Sequence, residues 1–137
     1  MRRVVVDTNV LVSAALNPAS APGRVVRAAF MQQFELVVSP RLIEELSAVL
    51  RRPKFAGILT ANQIVAFVEA IEEVALMMDD PEELARVRDP NDDYLVALST
   101  ASLADALVSG DSDLLDAEGL PTRVLSPRVF VEELRDR

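Results

Sequence analysis

Short apolar runs alternate along the chain with longer stretches in which apolar residues recur every three or four positions, the pattern of strands alternating with helices. Such alternation predicts βαβ units and a mainly parallel sheet, with right-handed crossovers placing helices on both faces. Residues 3–6 form the first strand, and Val4-Val5-Val6 suit a strand buried on both sides. Thr8 or Asn9 is expected to cap a helix that reaches residue 16. Residues 17–23, Asn-Pro-Ala-Ser-Ala-Pro-Gly, have the chemistry of a loop, and a helix follows over 24–33. The second strand covers 34–38. Ser39-Pro40 pairs an N-cap with proline at the first helical position, so a helix runs from there to 51 or 52, before Pro53. A further helix covers 61–74, and residues 75–78 read as a third strand rather than its last turn. Asp89-Pro90 opens a helix to 103 in the same cap-then-proline style. Residues 106–109 give a fourth strand, 112–117 a helical turn and 122–125 a last strand, with Ser126-Pro127 starting the terminal helix.

Composition narrows the chemistry sharply, because the chain has no histidine and no cysteine. Ser-His-Asp and Cys-His nucleophiles, Cys/His zinc sites and a histidine base are all excluded. Hard oxygen ligands remain, and they suit Mg²⁺ or Mn²⁺. A length of 137 residues with 50% hydrophobic content matches one domain over residues 1–137. Charges interrupt every apolar stretch well short of the ~20 residues of a membrane span, and Asp7 ends the first too soon for a signal peptide. The chain therefore reads as cytoplasmic, with no membrane association. A net charge of −8 argues against a protein that coats nucleic acid, yet it leaves room for a metal-bridged phosphate.

Four carboxylates fall where a parallel α/β fold would bring them to one rim. Asp7 follows the first strand and Asp111 the fourth, and ligands of open parallel sheets bind at the carboxyl ends of strands. Asp7 could equally be a helix cap, and Asp111 a turn residue after Gly110. On the helix starting at Ser39-Pro40, Leu42, Leu46, Val49 and Leu50 form the apolar stripe. Glu45 lies at its margin, whereas Glu44 lies nearly opposite. The same projection sets Asp92 on the face of Leu95, Ser99 and Leu103, with Asp93 outward. Acids in a first helical turn also favourably meet the macrodipole, which is the competing account of Asp92. Two carboxylates ~5 Å apart repel by about 3 kcal/mol at an effective dielectric of about 20. Four such groups need protons or a cation, so the metal-free site should hold at least one carboxyl with a raised pKa.

Val4-Val5-Val6-Asp7-Thr8-Asn9, Ser39-Pro40 through Glu44-Glu45-Leu46, Arg88-Asp89-Pro90-Asn91-Asp92-Asp93 and Val108-Ser109-Gly110-Asp111-Ser112-Asp113 together resemble the PIN domain family. More narrowly, the chain looks like toxin components of bacterial toxin-antitoxin systems, relatives of VapC toxins. The resemblance covers nearly the whole chain, with its motifs in order. It implies a three-layer αβα sandwich around a mainly parallel sheet of four to five strands. The family's four acids fall on Asp7, Glu45, Asp92 and Asp111, which would bind Mg²⁺ or Mn²⁺ and carry catalysis. Asn9 matches a polar residue beside the site, Asp113 an acid that sometimes joins it, and Ser109 stands where many members have threonine. The choice between Asp92 and Asp93 stays open. The resemblance further implies a metal-dependent endoribonuclease, frequent homodimerisation and neutralisation by a small cognate antitoxin.

On this reading Asp7, Asp92 and Asp111 hold one or two ions while Glu45 ligates or orients the attacking water. Arg24 and Arg27, with Arg51, Arg52 and Lys54, are the candidate contacts to RNA or antitoxin, against the alternative of solvated surface charges. A single-stranded region is the expected RNA form, since its bases are accessible. Few aromatic residues leave little for stacking on bases, and Phe30, Phe34, Phe55 and Phe67 are expected in the core. The apolar face of the 61–74 helix, with Ile64, Val65, Phe67, Val68 and Ile71, is read as core rather than dimer interface. A phosphatase of the haloacid dehalogenase type fits poorly, because it wants an Asp where Asn9 stands. A receiver domain wants a late lysine, and the sole lysine is Lys54. The remaining alternative is a catalytically silent PIN module that acts by binding RNA or an antitoxin.

Overall fold

The computed structural model describes residues 1–81 and 90–136, with residues 90–93 described by backbone alone. Five parallel strands form one sheet: β1 (Arg3–Val6), β2 (Glu35–Val38), β3 (Leu76–Met77), β4 (Ala106–Val108) and β5 (Val124–Leu125), in the order β3-β2-β1-β4-β5. The helices are α1 (Thr8–Leu16), α2 (Ala21–Phe30), α3 (Pro40–Leu50), α4 (Ala61–Val74), α5 (Pro90–Ala101), α6 (Ser112–Leu115) and α7 (Pro127–Arg135). A 3-10 turn, Pro53–Phe55, follows α3. This is the expected α/β architecture.

Valines make β1 the centre of the sheet. Val4, Val5 and Val6 are buried, and β1 pairs with β2 on one side and β4 on the other. The chain reverses its direction of travel across the sheet beyond β3, so right-handed connections send α1 to α4 to one face and α5 and α6 to the other. Helices α1, α2, α3 and α4 pack among themselves and α7 joins α2, whereas α5 packs on β1 and β4. Between these layers sits a core of Leu11, Leu36, Leu42, Leu46, Leu98, Leu107 and their neighbours.

Serine followed closely by proline starts three of the helices. Ser20, Ser39 and Ser126 each accept a backbone N–H two or three residues into the helix, with proline in the first turn. Thr60 and Gln63 form a reciprocal capping box at α4. Asp89, expected to cap α5, lies outside the described residues.

Several boundaries differ from the sequence reading. The cap of α1 is Asp7, not Thr8 or Asn9. Helix α2 begins at Ala21, inside the stretch read as loop, because Ser20 caps it and Pro22 fits its first turn. It ends at Phe30 rather than residue 33, and α5 ends at Ala101 rather than 103. Gln32 and Leu103 both adopt φ 56°, and Gln33 N–H and Ala104 N–H reach back to the carbonyls of Ala28 and Ser99. This is the left-handed helix stop usually signalled by glycine. Leu103 is consequently 80% exposed and leaves the inward face assigned to it.

Phe34 is buried just before β2, but Phe30 is exposed and Phe55 and Phe67 are only partly buried. The fully buried aromatic is Phe130 on α7, whose ring meets Phe34 edge to face at 5.0 Å. On α4, Ile64, Val68 and Ile71 are core, whereas Val65 is exposed.

Candidate active site

Strands β1 and β4 end side by side, which brings Asp7 and Ser109 together from positions 102 residues apart. The Asp7 N–H extends the ladder by donating to the Val108 carbonyl at 2.8 Å. Its carboxylate is buried and doubly held. Oδ2 accepts the Ser109 hydroxyl at 2.8 Å and Oδ1 accepts the Asn9 N–H at 3.0 Å. Cap and rim carboxylate are thus one residue.

Ser109 serves both strand-end acids. Its Oγ also accepts the Asp111 N–H at 3.0 Å, while Asp111 Oδ1 accepts the Asp113 N–H at 2.8 Å and caps α6. A cleft of about 360 Å³ opens over this corner, lined by Asp7, Asn9, Asp111, Ser13, Pro22 and Pro127 among others. The two prolines belong to the first turns of α2 and α7.

Glu45 approaches from α3. It is half-buried while Glu44 is exposed, as the helical projection requires. Desolvation pushes its carboxyl above the ordinary value, and the Asp7 charge pushes the same way. Arg41, the Thr8 hydroxyl and Arg52 act in the opposite direction. The raised carboxyl of this corner is Glu45, by burial first and by the like charge of Asp7 second, whereas the sequence argument rests on like charge alone. Asp92 stands in the first turn of α5, but its side chain and that of Asp93 lie outside the described residues. Among the described residues no three carboxylates gather around one point.

The donor set in this corner is oxygen throughout. Among the described residues no cationic side chain lines the cleft, and each carboxylate keeps acceptor capacity beyond the hydrogen bonds it makes. Such donors have the chemistry that a hard divalent ion prefers, and Asp7 and Asp111 are the two carboxylates that share the cleft.

Next to Glu45, a hydroxyl network ties α3 to α5. The Tyr94 hydroxyl bonds to Ser39 Oγ and lies 3.2 Å from Asp80 Oδ1, which also accepts the Arg41 N–H at 3.1 Å. The Arg41 guanidinium lies 4.3 Å from the Tyr94 ring centroid. Burial, together with the Asp80 carboxylate, raises the phenol above its ordinary range. Burial alone would raise Asp80, but the bonds from Arg41, Ser39 and Tyr94 hold it below its ordinary value. The sequence reading gives Tyr94, Asp80 and Arg41 no part in the site and takes Thr8 only as a possible cap. An isolated polar residue carries no periodicity to reveal it.

The candidate cations separate into two groups. Arg51 bonds to Ser47, Arg52 acts on Glu45 and Lys54 covers the Phe55 ring, all at the end of α3. Arg24 and Arg27 instead line a groove between α2 and α7.

A family model described as PIN domain matches residues 3–113. The chain is 27% identical over 141 residues to an uncharacterized protein of Methanocaldococcus jannaschii, covering 96% of this chain and 90% of that one. It is similar in fold to the crystal structure of a Pyrobaculum aerophilum protein, with a TM-score of 0.72 and 15% identity. That likeness covers 99% of this chain and 91% of the other.

Proposed function

The chain belongs to the PIN domain family, whose members are generally nucleases, and from that premise we propose that it is a metal-dependent endoribonuclease. The observation that carries this reading is the corner where Ser109 joins Asp7 to Asp111 while Glu45 feels the Asp7 charge. Asp7, Asp111, Glu45 and Asp92 are the proposed ligands, with Asn9, Ser109 and Asp113 supporting them. Bound there, Mg²⁺ or Mn²⁺ would lower the pKa of a water and neutralise the scissile phosphate.

The protein's own groups do the rest. Ser109 fixes the Asp7 carboxylate, and the α6 turn fixes Asp111. Glu45, already inclined to hold a proton, orients the attacking water and draws its proton away. Arg52, electrostatically coupled to Glu45, is the nearest proposed contact for the substrate backbone, with Arg51 and Lys54 beyond it. With the water oxygen attacking phosphorus and the P–O3′ bond breaking, the leaving oxygen takes up a proton and the products carry a 5′-phosphate and a 3′-hydroxyl.

Incubating cellular RNA with the protein and Mn²⁺, then sequencing the ends, tests the reading. Cuts that vanish in Asp7→Asn and carry 5′-phosphates support it. A 2′,3′-cyclic phosphate overturns it, because that product needs the ribose hydroxyl as nucleophile.

The toxin role, the homodimer and the antitoxin partner rest on the resemblance to VapC-like toxins, and the cytoplasmic location on the short, charge-interrupted apolar stretches of the sequence. No described helix is long and apolar enough to cross a membrane. Co-expression with a candidate antitoxin, a small protein encoded beside a toxin of this kind, should give a complex in which RNA cleavage is suppressed. Undiminished cleavage would remove the toxin-antitoxin part of the proposal.

A further inference from the structure

Most arginines with described partners are spent on this protein's own acids. Arg2 and Arg123 pair with Glu133, Arg3 with Glu35 and Arg128 with Glu132. Arg24, Arg27 and Arg135 are exposed and make no ion pair among the described residues, yet all three line one groove of about 370 Å³. Gln33, Met31 and Leu134 help line it, and Met31 is 59% exposed. On a chain of net charge −8, three uncommitted guanidiniums in one depression mark a place that receives an anion.

The position of the groove selects the anion. Helices α2 and α7 pack together, and their first turns line the active-site cleft through Pro22 and Pro127. The groove begins at Arg24 and Val131 on the same two helices, within about one turn, or ~5.4 Å, of those prolines. Arg24 and Arg27 then follow on one helical face. We propose that this seam is the track for single-stranded RNA leaving the scissile position, with Arg24, Arg27 and Arg135 holding successive phosphates and Met31 and Leu134 offering apolar surface to bases. The inference rests on the ribonuclease reading for its substrate, but its test does not need cleavage.

The test measures binding of labelled single-stranded oligoribonucleotides to Asp7→Asn protein in chelator over a range of salt. Replacing Arg24, Arg27 and Arg135 together by Gln should lower the slope of log K against log salt by about 2, from ~0.7 per phosphate contact. At about 0.1 M salt that corresponds to roughly a hundredfold loss of affinity. Arg3→Gln with Arg123→Gln, at the N-terminal ends of β1 and β5 and outside the groove, should leave the slope within about 0.5 of the parent. The three groove arginines are exposed, and an unchanged melting temperature verifies folding. An unchanged slope in the triple variant overturns the track, as does equal loss in the control pair. A groove that takes an acidic peptide but no RNA overturns it too, and assigns the surface to a protein partner. If the slope falls as expected while the wild type cuts no RNA, the groove stands as a binding surface for single-stranded RNA and the ribonuclease reading fails.

Discussion

The Ser109 hydroxyl donates to Asp7 Oδ2 at 2.8 Å while accepting the Asp111 N–H at 3.0 Å, so one buried side chain sets both strand-end acids. Removing it leaves a buried carboxylate oxygen without its donor, at a cost of about 1 to 3 kcal/mol. Ser109→Ala should therefore lower the melting temperature and weaken Mn²⁺ binding about 10- to 100-fold, the usual effect of losing a group that orients a ligand. Ser109→Thr keeps the hydroxyl and should bind Mn²⁺ within a few-fold of wild type. Calorimetric titration of the two variants checks this, and equal binding by Ala and wild type refutes it.

Glu45 makes the metal-free protein sensitive to pH in a fixed direction. Its carboxyl is raised from 4.5, chiefly by desolvation and then by Asp7. A raised group contributes stability that is fully present below its unfolded value and is lost as pH rises through its folded value. Above pH ~4.5 the ionised Glu45 thus weighs against folding, and Glu45→Gln should melt higher than wild type in chelator at pH ~7. The advantage should vanish near pH ~4, and Mn²⁺ should reverse the order by stabilising wild type more. Melting curves in chelator and in Mn²⁺ decide the matter. A Gln variant less stable than wild type at neutral pH without metal contradicts the account.

Tyr94→Phe removes a hydroxyl that joins Ser39 on the α3 cap to Asp80 beyond β3. The ring and its contact with Arg41 survive. The expected loss is about 1 to 2 kcal/mol at neutral pH. Asp80 is held below 3.8, so its contribution is present above that value and is lost as pH falls through the folded pKa. Part of the Tyr94→Phe difference should accordingly disappear in acid. Urea unfolding at pH ~7 and pH ~3 measures both.

Gly23 is fixed by sterics alone. A Cβ there would meet the Pro18 carbonyl oxygen at 2.1 Å and its carbon at 2.4 Å, both backbone atoms that cannot turn aside. Gly23→Ala should displace the start of α2, at a cost of about 1 to 3 kcal/mol. Because Pro22 lines the cleft one residue earlier, RNA cleavage should fall as well. Thermal unfolding and activity of Gly23→Ala, with Gly57→Ala as a control in open space, test this.

What the sequence disclosed and what it hid have physical reasons. Arg3–Val6 was legible because three β-branched residues leave little alternative, and Ala61–Val74 because cap and periodicity agree. Helices α2 and α5 were read too long because their stops use Gln32 and Leu103 in a conformation that glycine normally announces. Cap and rim carboxylate are alternatives for Asp7 in the sequence, but the two oxygens of one group perform both tasks. Arg135 went unseen because only the packing of α7 on α2 brings it beside Arg24 and Arg27.

The pairing of Asp7 with Ser109 also imposes an order of events on synthesis. At about 5 to 20 residues per second, the 102 positions between them take roughly 5 to 20 s to make. Throughout that interval β1 lacks its β4 neighbour, and the carboxylate at its end lacks its hydroxyl donor. The corner that Ser109 builds between the two strand ends therefore cannot assemble on the ribosome until β4 has emerged, and it stays incomplete while most of the chain is being made.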